Sequence, residues 1–342
     1  GLDFGFLNER IGGSINWYLK DTRDLLQKIS MAPSTGFKEK TVNSGKIRNT
    51  GIEIDLNVRP IMTHSFVWDM NANWYTNKNE VRDLGPVKEQ FASTLGSAYG
   101  LNVQPFIQRV GCPIGAIYGY VFDGIFQNQA EVDANYSIDK NGKKQAIHSG
   151  QAVGMLKFKD INGDGVVNES DQTIIGDTNP DFFFGFNNTF SYKRFELGVF
   201  VSGVIGGDII NTNFIMPRKL NGESNIPAFL YAEAWRGDGT SNTSRLIKSG
   251  NEDPKKFSRQ YLEKRTYVRI KNINLSYNFN VNKMKGISAM KMSFNAINPF
   301  TFTKYHGYDP EVSASSSALS RGVDMGNYPQ ARMFSFGLNV EF

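Results

Sequence analysis

The segment 160–171 has the residue types and the spacing of a calcium loop. Oxygen-bearing side chains stand at its first, third, fifth, ninth and twelfth positions, Gly165 stands at the sixth, and a backbone carbonyl is available at the seventh. Because Ca²⁺ takes several oxygen ligands that converge from one short loop, this spacing predicts a structural Ca²⁺ site. The predicted metal ligands are Asp160, Asn162, Asp164, Val166, Asn168 and Asp171.

Two features of this segment leave a second interpretation open. The twelfth position is Asp171 rather than the Glu of the EF-hand pattern, and a shorter carboxylate reaches a metal less easily with both oxygens. No obvious helices flank the segment. The alternative is a turn rich in Asp and Asn that holds no metal. We predict Ca²⁺ in a structural role, stabilising the surrounding loop, with no part in catalysis.

β-Strands are the elements that must position this loop, because period-2 alternation is the dominant pattern in the sequence. In the last ten residues, 333–342, the apolar side chains that alternate with polar or small ones run to the final residue, Phe342. A strand of this kind that ends the chain on an aromatic residue is typical of the closing strand of a bacterial outer-membrane β-barrel. The sequence therefore indicates an outer-membrane protein.

About nine segments alternate in this way, and a tilted strand of roughly ten residues is enough to cross a bilayer. The 26 Phe, 14 Tyr and 34 Gly residues fit many strands and turns, and the absence of a long apolar run excludes a transmembrane helix. The predicted fold class is all-β, a transmembrane antiparallel β-barrel with long extracellular loops; the alternative is a soluble β-sandwich. The predicted strands lie at about 4–6, 15–19, 52–58, 66–74, 184–192, 195–201, 273–279, 290–296 and 334–342.

The predicted connections between these strands alternate in length. Short turns are expected near 8–10, 59–61, 193–194 and 280–286. Long connections are expected at 24–46, 77–181, 207–264 and 304–330. A last strand that runs inward to end in the periplasm places every long connection outside the cell. The candidate Ca²⁺ loop would then stabilise an extracellular loop, 77–181.

Nine strands are too few for a complete bacterial barrel, since an open edge would lie in lipid. We expect the chain to be the C-terminal part of a longer protein, and the missing strands to come from an earlier part of that protein or from another chain. The abrupt start at Gly1 fits this expectation.

Several motifs carry a resemblance to a known family. They run in order over nearly the whole chain: the first 26 residues, then RNTGIEID at 48–55, GYVFDGIF at 119–126, KDINGDG at 159–165, IGDTNP at 175–180, YVRIKNINLSY at 267–277, GYDPE at 307–311 and the last strand. In these motifs the chain resembles the SusC/RagA family of TonB-dependent transporters, specifically their C-terminal barrel portion.

The resemblance implies a complete barrel of about twenty-two strands with an N-terminal plug. It implies a SusD-like lipoprotein over the external loops and uptake of glycans or peptides energised by the TonB complex, in the outer membrane of a Bacteroidota-type bacterium. The plug and the TonB-contacting segment are expected in the part that precedes residues 1–342. The alternative, from a different functional class, is a structural or adhesive barrel that has a calcium-stabilised interaction surface and imports nothing.

Other chemistry is less well supported. Lys and Arg are scattered among Asp and Glu and form no basic run, so nucleic-acid binding is not indicated. The three histidines and Cys112 do not have the spacing of metal ligands or of a catalytic triad. Each histidine is expected either to be solvated or to lie on the face of a strand. The chain is therefore not expected to be an enzyme. Six aromatic residues in the long connections are expected to contact either a sugar or peptide substrate or the lipoprotein partner: Tyr118, Tyr120, Phe122, Phe126, Tyr305 and Tyr308.

Overall fold

The computed structural model describes residues 1–95, 103–214, 219–220, 225–243, 247–248, 256–313 and 317–342. Within these ranges the chain is almost entirely strands and connections, with two short α-helices, α1 (Gln129–Ala134) and α2 (Ala228–Glu233). None of the described helices has the length and apolar character needed to span a membrane. The strands are β1 (Leu2–Phe6), β2 (Ile11–Ser30), β3 (Glu39–Met62), β4 (Phe66–Leu84), β5 (Glu89–Leu95), β6 (Val103–Arg109), β7 (Ala116–Tyr120), β8 (Phe122–Ile125), β9 (Tyr136–Ile138), β10 (Lys144–Ala146), β11 (Leu156–Phe158), β12 (Gln172–Asp177), β13 (Phe182–Tyr192), β14 (Phe195–Ile205), β15 (Asp208–Asn211), β16 (Lys219–Leu220), β17 (Ile247–Lys248), β18 (Leu262–Lys264), β19 (Tyr267–Asn278), β20 (Ala289–Thr303), β21 (Val323–Asp324) and β22 (Met333–Glu341).

The main feature is one antiparallel sheet, which we call the wall sheet. In the described residues it contains nine strands in the order β1-β2-β3-β4-β13-β14-β19-β20-β22, so each strand pairs with the next wall strand along the chain. These are the nine strands that alternation predicts. Eight of them are longer than predicted, most of all β2, β3 and β4, which extend over 20, 24 and 19 residues.

The two faces of the wall sheet differ in chemistry. On one face, cross-strand neighbours are apolar, as in the row Leu275, Phe294 and Phe336, and Phe336 is 82% exposed. On the other face the register brings together Asn274 and Asn295. A contiguous exposed apolar face needs a non-aqueous neighbour, and lipid is the one expected for a barrel strand.

The connections fall into a short set and a long set, as predicted. Turns at 7–10, 63–65, 193–194 and 279–288 lie at one end of the sheet. The turn predicted at 59–61 is wrong in position, because β3 continues to Met62. Three long connections lie at the other end, and we call 85–181 the first insert, 206–266 the second insert and 304–332 the third insert. The predicted long connection at 24–46 is wrong, because β2 and β3 continue as a paired ribbon and only 31–38 connects them. The connection predicted to begin at 77 begins at 85, since β4 continues to Leu84.

The inserts are folded. Strands β5, β6, β7 and β12 of the first insert form a four-stranded sheet, and β15 pairs with β18 of the second insert and with β21 of the third. Buried side chains from all three inserts form one hydrophobic core: Phe106, Ile117, Ile175, Ile210, Phe257, Tyr261 and Val323. The inserts therefore pack as one body at this end of the wall sheet.

Candidate functional site

The loop 160–171 is closed by hydrogen bonds that backbone amides donate to side-chain oxygens. The two carboxylate oxygens of Asp160 accept the amides of Gly163 and Gly165, each at 2.8 Å. Asn162 Oδ1 accepts the Asp164 amide at 2.8 Å, and Asp164 Oδ1 accepts the Val166 amide at 2.9 Å. Gly165 has φ +84°, which favours glycine at the sharp turn.

Asp171 ties the two ends of this loop together. Its side chain is fully buried. One carboxylate oxygen accepts the Ile161 and Asn162 amides at 2.8 and 3.3 Å, and the other accepts the Asn168 amide at 2.7 Å. Asn168 in turn accepts the amide of Ser170 at 2.8 Å and caps the short 3-10 helix Glu169–Asp171.

This arrangement agrees with both interpretations of the loop. The oxygens are of the type that Ca²⁺ prefers, and a carboxylate oxygen that accepts one amide retains a lone pair. In the part of the chain that the structure describes, however, no three His, Cys, Asp or Glu side chains gather closely enough to hold a metal. The backbone bonds alone also describe a turn rich in Asp and Asn. Ca²⁺ binding by these six residues stays a prediction.

The loop rests on a small core in the first insert. Val167 packs with Tyr120 and Phe158, and Gly165 accepts a 2.7 Å hydrogen bond from the Ser137 hydroxyl. His148 lies beside this core with only 6% of its surface exposed, so its expected solvation is wrong. Its ring bonds the backbone of Phe158, and burial lowers the pKa of the imidazole. No local sequence pattern marks this position.

The loop aromatics divide between core and surface. Tyr120, Phe126 and Tyr305 are buried, so the prediction that they contact substrate or partner is wrong for these three. Tyr308 is 71% exposed and remains available for such a contact. The Tyr305 hydroxyl instead donates a 2.5 Å hydrogen bond to buried Asp324, and burial together with this bond raises the pKa of the phenol.

A buried charge network joins the third insert to the wall sheet. Arg269 of β19 is 2% exposed and binds Asp309 and Glu311, each at 2.7 Å. Lys271 contacts Glu311 at 2.8 Å, and the Tyr267 hydroxyl donates to the same carboxylate. Two carboxylates and two cations are thus held where the insert meets the polar face of the sheet.

This network changes the ionisation of both acids. Burial acts to raise the pKa of Asp309, but the amides of Glu311 and Gln330 and the Arg269 guanidinium outweigh it, so the pKa lies below its ordinary value. Burial likewise acts to raise the pKa of Glu311, and Lys271, Tyr267 and Arg269 lower it overall. Both acids are therefore charged at neutral pH.

Two cavities border the polar face near the inserts. One, of about 880 Å³, lies beside the outer ends of β2 and β3 and the sheet of the first insert; Gln27, Gln90 and Gln108 are among its lining residues. The other, of about 550 Å³, lies between the outer parts of β2, β3 and β4 and all three inserts. Its lining includes two arginines, Arg265 and Arg321. Sequence reasoning missed this pair because the two residues lie in different inserts.

Comparison with known proteins places this fold. No family model matches the chain. The chain is 30% identical over 351 residues to the TonB-dependent receptor P3 of Formosa agariphila, a match that covers all of the chain and 33% of the receptor. It is 28% identical over 354 residues to the TonB-dependent receptor SusC of Bacteroides thetaiotaomicron, covering 31% of that protein. The chain thus spans about a third of the length of the curated relatives it matches.

Solved structures agree with this result at the level of the fold. The structure of the RagAB peptide transporter matches 99% of the chain with a TM-score of 0.74 at 21% identity, over 34% of the matched chain. The RagAB peptide importer in its closed-closed state matches with a TM-score of 0.73. The expected resemblance to the SusC/RagA family and the all-β barrel fold are confirmed, as is an outer-membrane location. The relatives are receptors and importers, which confirms that the chain is not an enzyme.

Proposed function

We propose that this chain, as part of a TonB-dependent transporter of the SusC/RagA family, takes up peptide or glycan nutrients across the outer membrane. The observation that carries the proposal is the similarity of the whole chain to TonB-dependent receptors. The wall sheet supports it, because the exposed apolar face suits lipid while the polar face borders cavities among the inserts. Energy from the TonB complex would enter through the rest of the transporter.

The three inserts would face the cell exterior and the short turns the periplasm. The alternation of long and short connections supports this orientation, because barrels of this class carry short periplasmic turns. A SusD-like lipoprotein would then cover the inserts. Exposed aromatic side chains in the third insert, Tyr308 and Tyr328, suit such a contact, since aromatic residues are enriched at protein interfaces.

Within this function, Ca²⁺ bound by Asp160, Asn162, Asp164, Val166, Asn168 and Asp171 would stabilise the first insert. The ion would supply a fixed positive charge that holds the loop oxygens together, with no part in the transport step. The calcium-loop spacing of these residues supports the proposal, and backbone hydrogen bonds already hold several of their side chains in place.

The test uses the full-length transporter in its host. A deletion strain complemented with the intact gene should take up labelled peptide or oligosaccharide mixtures, and loss of TonB or of the proton gradient should abolish that uptake. Uptake that continues without TonB would contradict import by this route. A strain that adheres poorly but feeds normally after deletion would favour the adhesive barrel instead.

The partner can be tested in the same strain. Affinity purification of the full-length transporter in mild detergent should recover a lipoprotein in equimolar amount. Recovery of the transporter alone under conditions that preserve uptake would contradict the proposed lipoprotein cover.

A further inference from the structure

The 550 Å³ cavity has an unusual charge balance. Its lining joins the wall strands to residues from each insert, including Asn49 of β3, Phe183 of β13, Arg265 of the second insert and Arg321 of the third. Two of the lining residues are arginines, and none of those described is acidic. Two like charges that share a cavity repel each other, so the arrangement favours an anion between them.

Arg265 is held in place through its backbone. Its backbone amide donates to the carbonyl of Gly207 at 3.1 Å, which fixes the residue just before β19. Its Nε is buried and makes no hydrogen bond with any described residue. Buried polar groups of this kind usually have a partner, and one that lacks a partner needs an explanation.

Neighbouring acids do not neutralise the pair. Among the described ranges, neither Arg265 nor Arg321 has a carboxylate within salt-bridge distance. Glu311 is the nearby acid that acts on Arg265, and it is already bound by Arg269, Lys271 and Tyr267. Burial lowers the pKa of Arg265 and Arg321 adds to that effect, yet a guanidinium keeps its proton at neutral pH.

The rest of the lining suits an organic anion rather than a bare ion. Asn77 is positioned by the Tyr18 hydroxyl at 3.0 Å and donates to Asn49 Oδ1 at 3.2 Å. The amide nitrogen of Asn49 donates to no other described residue and can bind a ligand. Phe183 and Ile47 provide apolar surface beside these polar groups. A mostly apolar wall with a few placed donors is the usual composition of a small-molecule site.

We infer that this cavity is a subsite for a carboxylate of the transported substrate, bound by Arg265 and Arg321 with the Asn49 amide as a further donor. The planar guanidinium matches a carboxylate with two parallel hydrogen bonds. The inference rests on the proposed import function and narrows its substrate class to acidic molecules. The carboxylate belongs either to the C-terminus of a peptide or to a uronic acid of a glycan.

The test measures binding to the purified full-length transporter by calorimetry, with two matched pairs of probes. Tri-alanine is compared with tri-alanine amide, and tri-galacturonic acid with its methyl ester. At least one acid should bind about tenfold or more tightly than its neutral counterpart, because a hydrogen bond to a charged group contributes that much. Preference for tri-alanine identifies the peptide source, and preference for tri-galacturonic acid identifies the glycan source.

Variants of the two arginines test whether they cause the preference for the acidic probes. Arg321→Gln changes an exposed residue and should remove about tenfold of the preference for the acid without affecting folding. Arg265→Gln should do the same, and Arg265→Lys should retain part of the preference. Arg236→Gln, an exposed arginine outside the cavity lining, is the matched control and should bind as the wild type does.

Three results would overturn the inference: neither acid binds, the acids bind no better than the neutral probes, or the arginine variants retain the preference. A full-length structure with another part of the same protein placing a carboxylate on Arg265 would also overturn it. Binding needs no TonB, so the two proposals fail separately. TonB-dependent uptake without a preference for acids would contradict only the proposed subsite. A preference for acids without TonB-dependent uptake would contradict only the proposed import function.

Discussion

Asp171 shows how much one buried carboxylate can organise. Three backbone amides converge on it, and they come from both ends of the loop 160–171. Each amide loses its acceptor when this carboxylate is removed, and a hydrogen bond to a charged group contributes about 1.5–3 kcal/mol. At the scale of single residues, the loop is therefore held by hydrogen bonds that exist with or without a metal, and experiments must separate the two contributions.

The first prediction tests the amide hydrogen bonds to Asp171 separately from any bound metal. Asp171→Ala should speed amide hydrogen exchange at Ile161, Asn162 and Asn168 by about tenfold or more, in chelator as well as in Ca²⁺, because these amides lose their acceptor. Exchange read by mass spectrometry on the full-length protein measures this. Unchanged exchange in chelator would mean that the carboxylate serves only a metal.

The second prediction tests the contribution of bound Ca²⁺ to the stability of the first insert. In the wild type, Ca²⁺ should protect the first insert from protease, and Asp160→Ala combined with Asp164→Ala should abolish that protection, because two charged ligands are lost. Asp139→Ala is the matched control, since Asp139 accepts amides in a neighbouring turn outside the calcium pattern. If chelator leaves the cleavage of the wild type unchanged, the calcium prediction is wrong.

At the scale of elements, Arg269 attaches the third insert to β19. Removing the guanidinium leaves the buried carboxylate of Asp309 without its cation, whereas Glu311 keeps Lys271, a more exposed member of the same network. Breaking a buried pair from one side costs about 3–5 kcal/mol. The attachment of the third insert to β19 thus depends more on Arg269 than on Lys271.

The third prediction follows from this attachment. Arg269→Met should release the third insert and expose 304–332 to protease, while Lys271→Met should have a smaller effect. Both acids have pKa values below their ordinary ones, so their stabilisation is complete above the unfolded pKa, near 4, and is lost as the pH falls through the folded values. Protease sensitivity should therefore rise on acidification in the wild type. An insert that is equally resistant in both variants would contradict the proposed role of Arg269.

The sequence predicts the elements of the wall and not those of the inserts. Wall strands have one apolar and one polar face, so each carries its own period-2 signal, as in β22. Strands such as β6 and β15 are buried among the inserts and carry no such signal, and β15 pairs with β21 more than a hundred residues away. The calcium pattern is detectable because it is local. The pairs Arg269–Asp309 and Arg265–Arg321 are not, since only folding brings them together.

At the scale of the whole molecule, the wall sheet has one apolar face, which suits lipid, and one polar face, which suits water. Apolar side chains of β22 such as Leu338 lie on the exposed apolar face, and Asn339 lies on the polar face. In water, so large an apolar surface would promote aggregation; in a bilayer it is the stable arrangement.

The fourth prediction uses this difference between faces. Leu338→Arg should reduce the amount of heat-modifiable protein in the outer membrane, because a charge on the lipid face costs about 2–4 kcal/mol near the membrane centre. Asn339→Arg, one residue along the same strand, should assemble normally. Equal assembly of the two variants, read by gel migration with and without heating, would contradict the assignment of the faces.

The core shared by the three inserts also bears on how such a protein can diversify. Ile210 from one insert and Val323 from another pack against Phe106 and Ile117 of the first. Recombination that exchanged a single insert between relatives would leave a cavity or a clash at this junction. Exchange of all three inserts together would preserve this junction. Because β13, β14, β19 and β20 lie between the inserts in the chain, those wall strands would be exchanged with them.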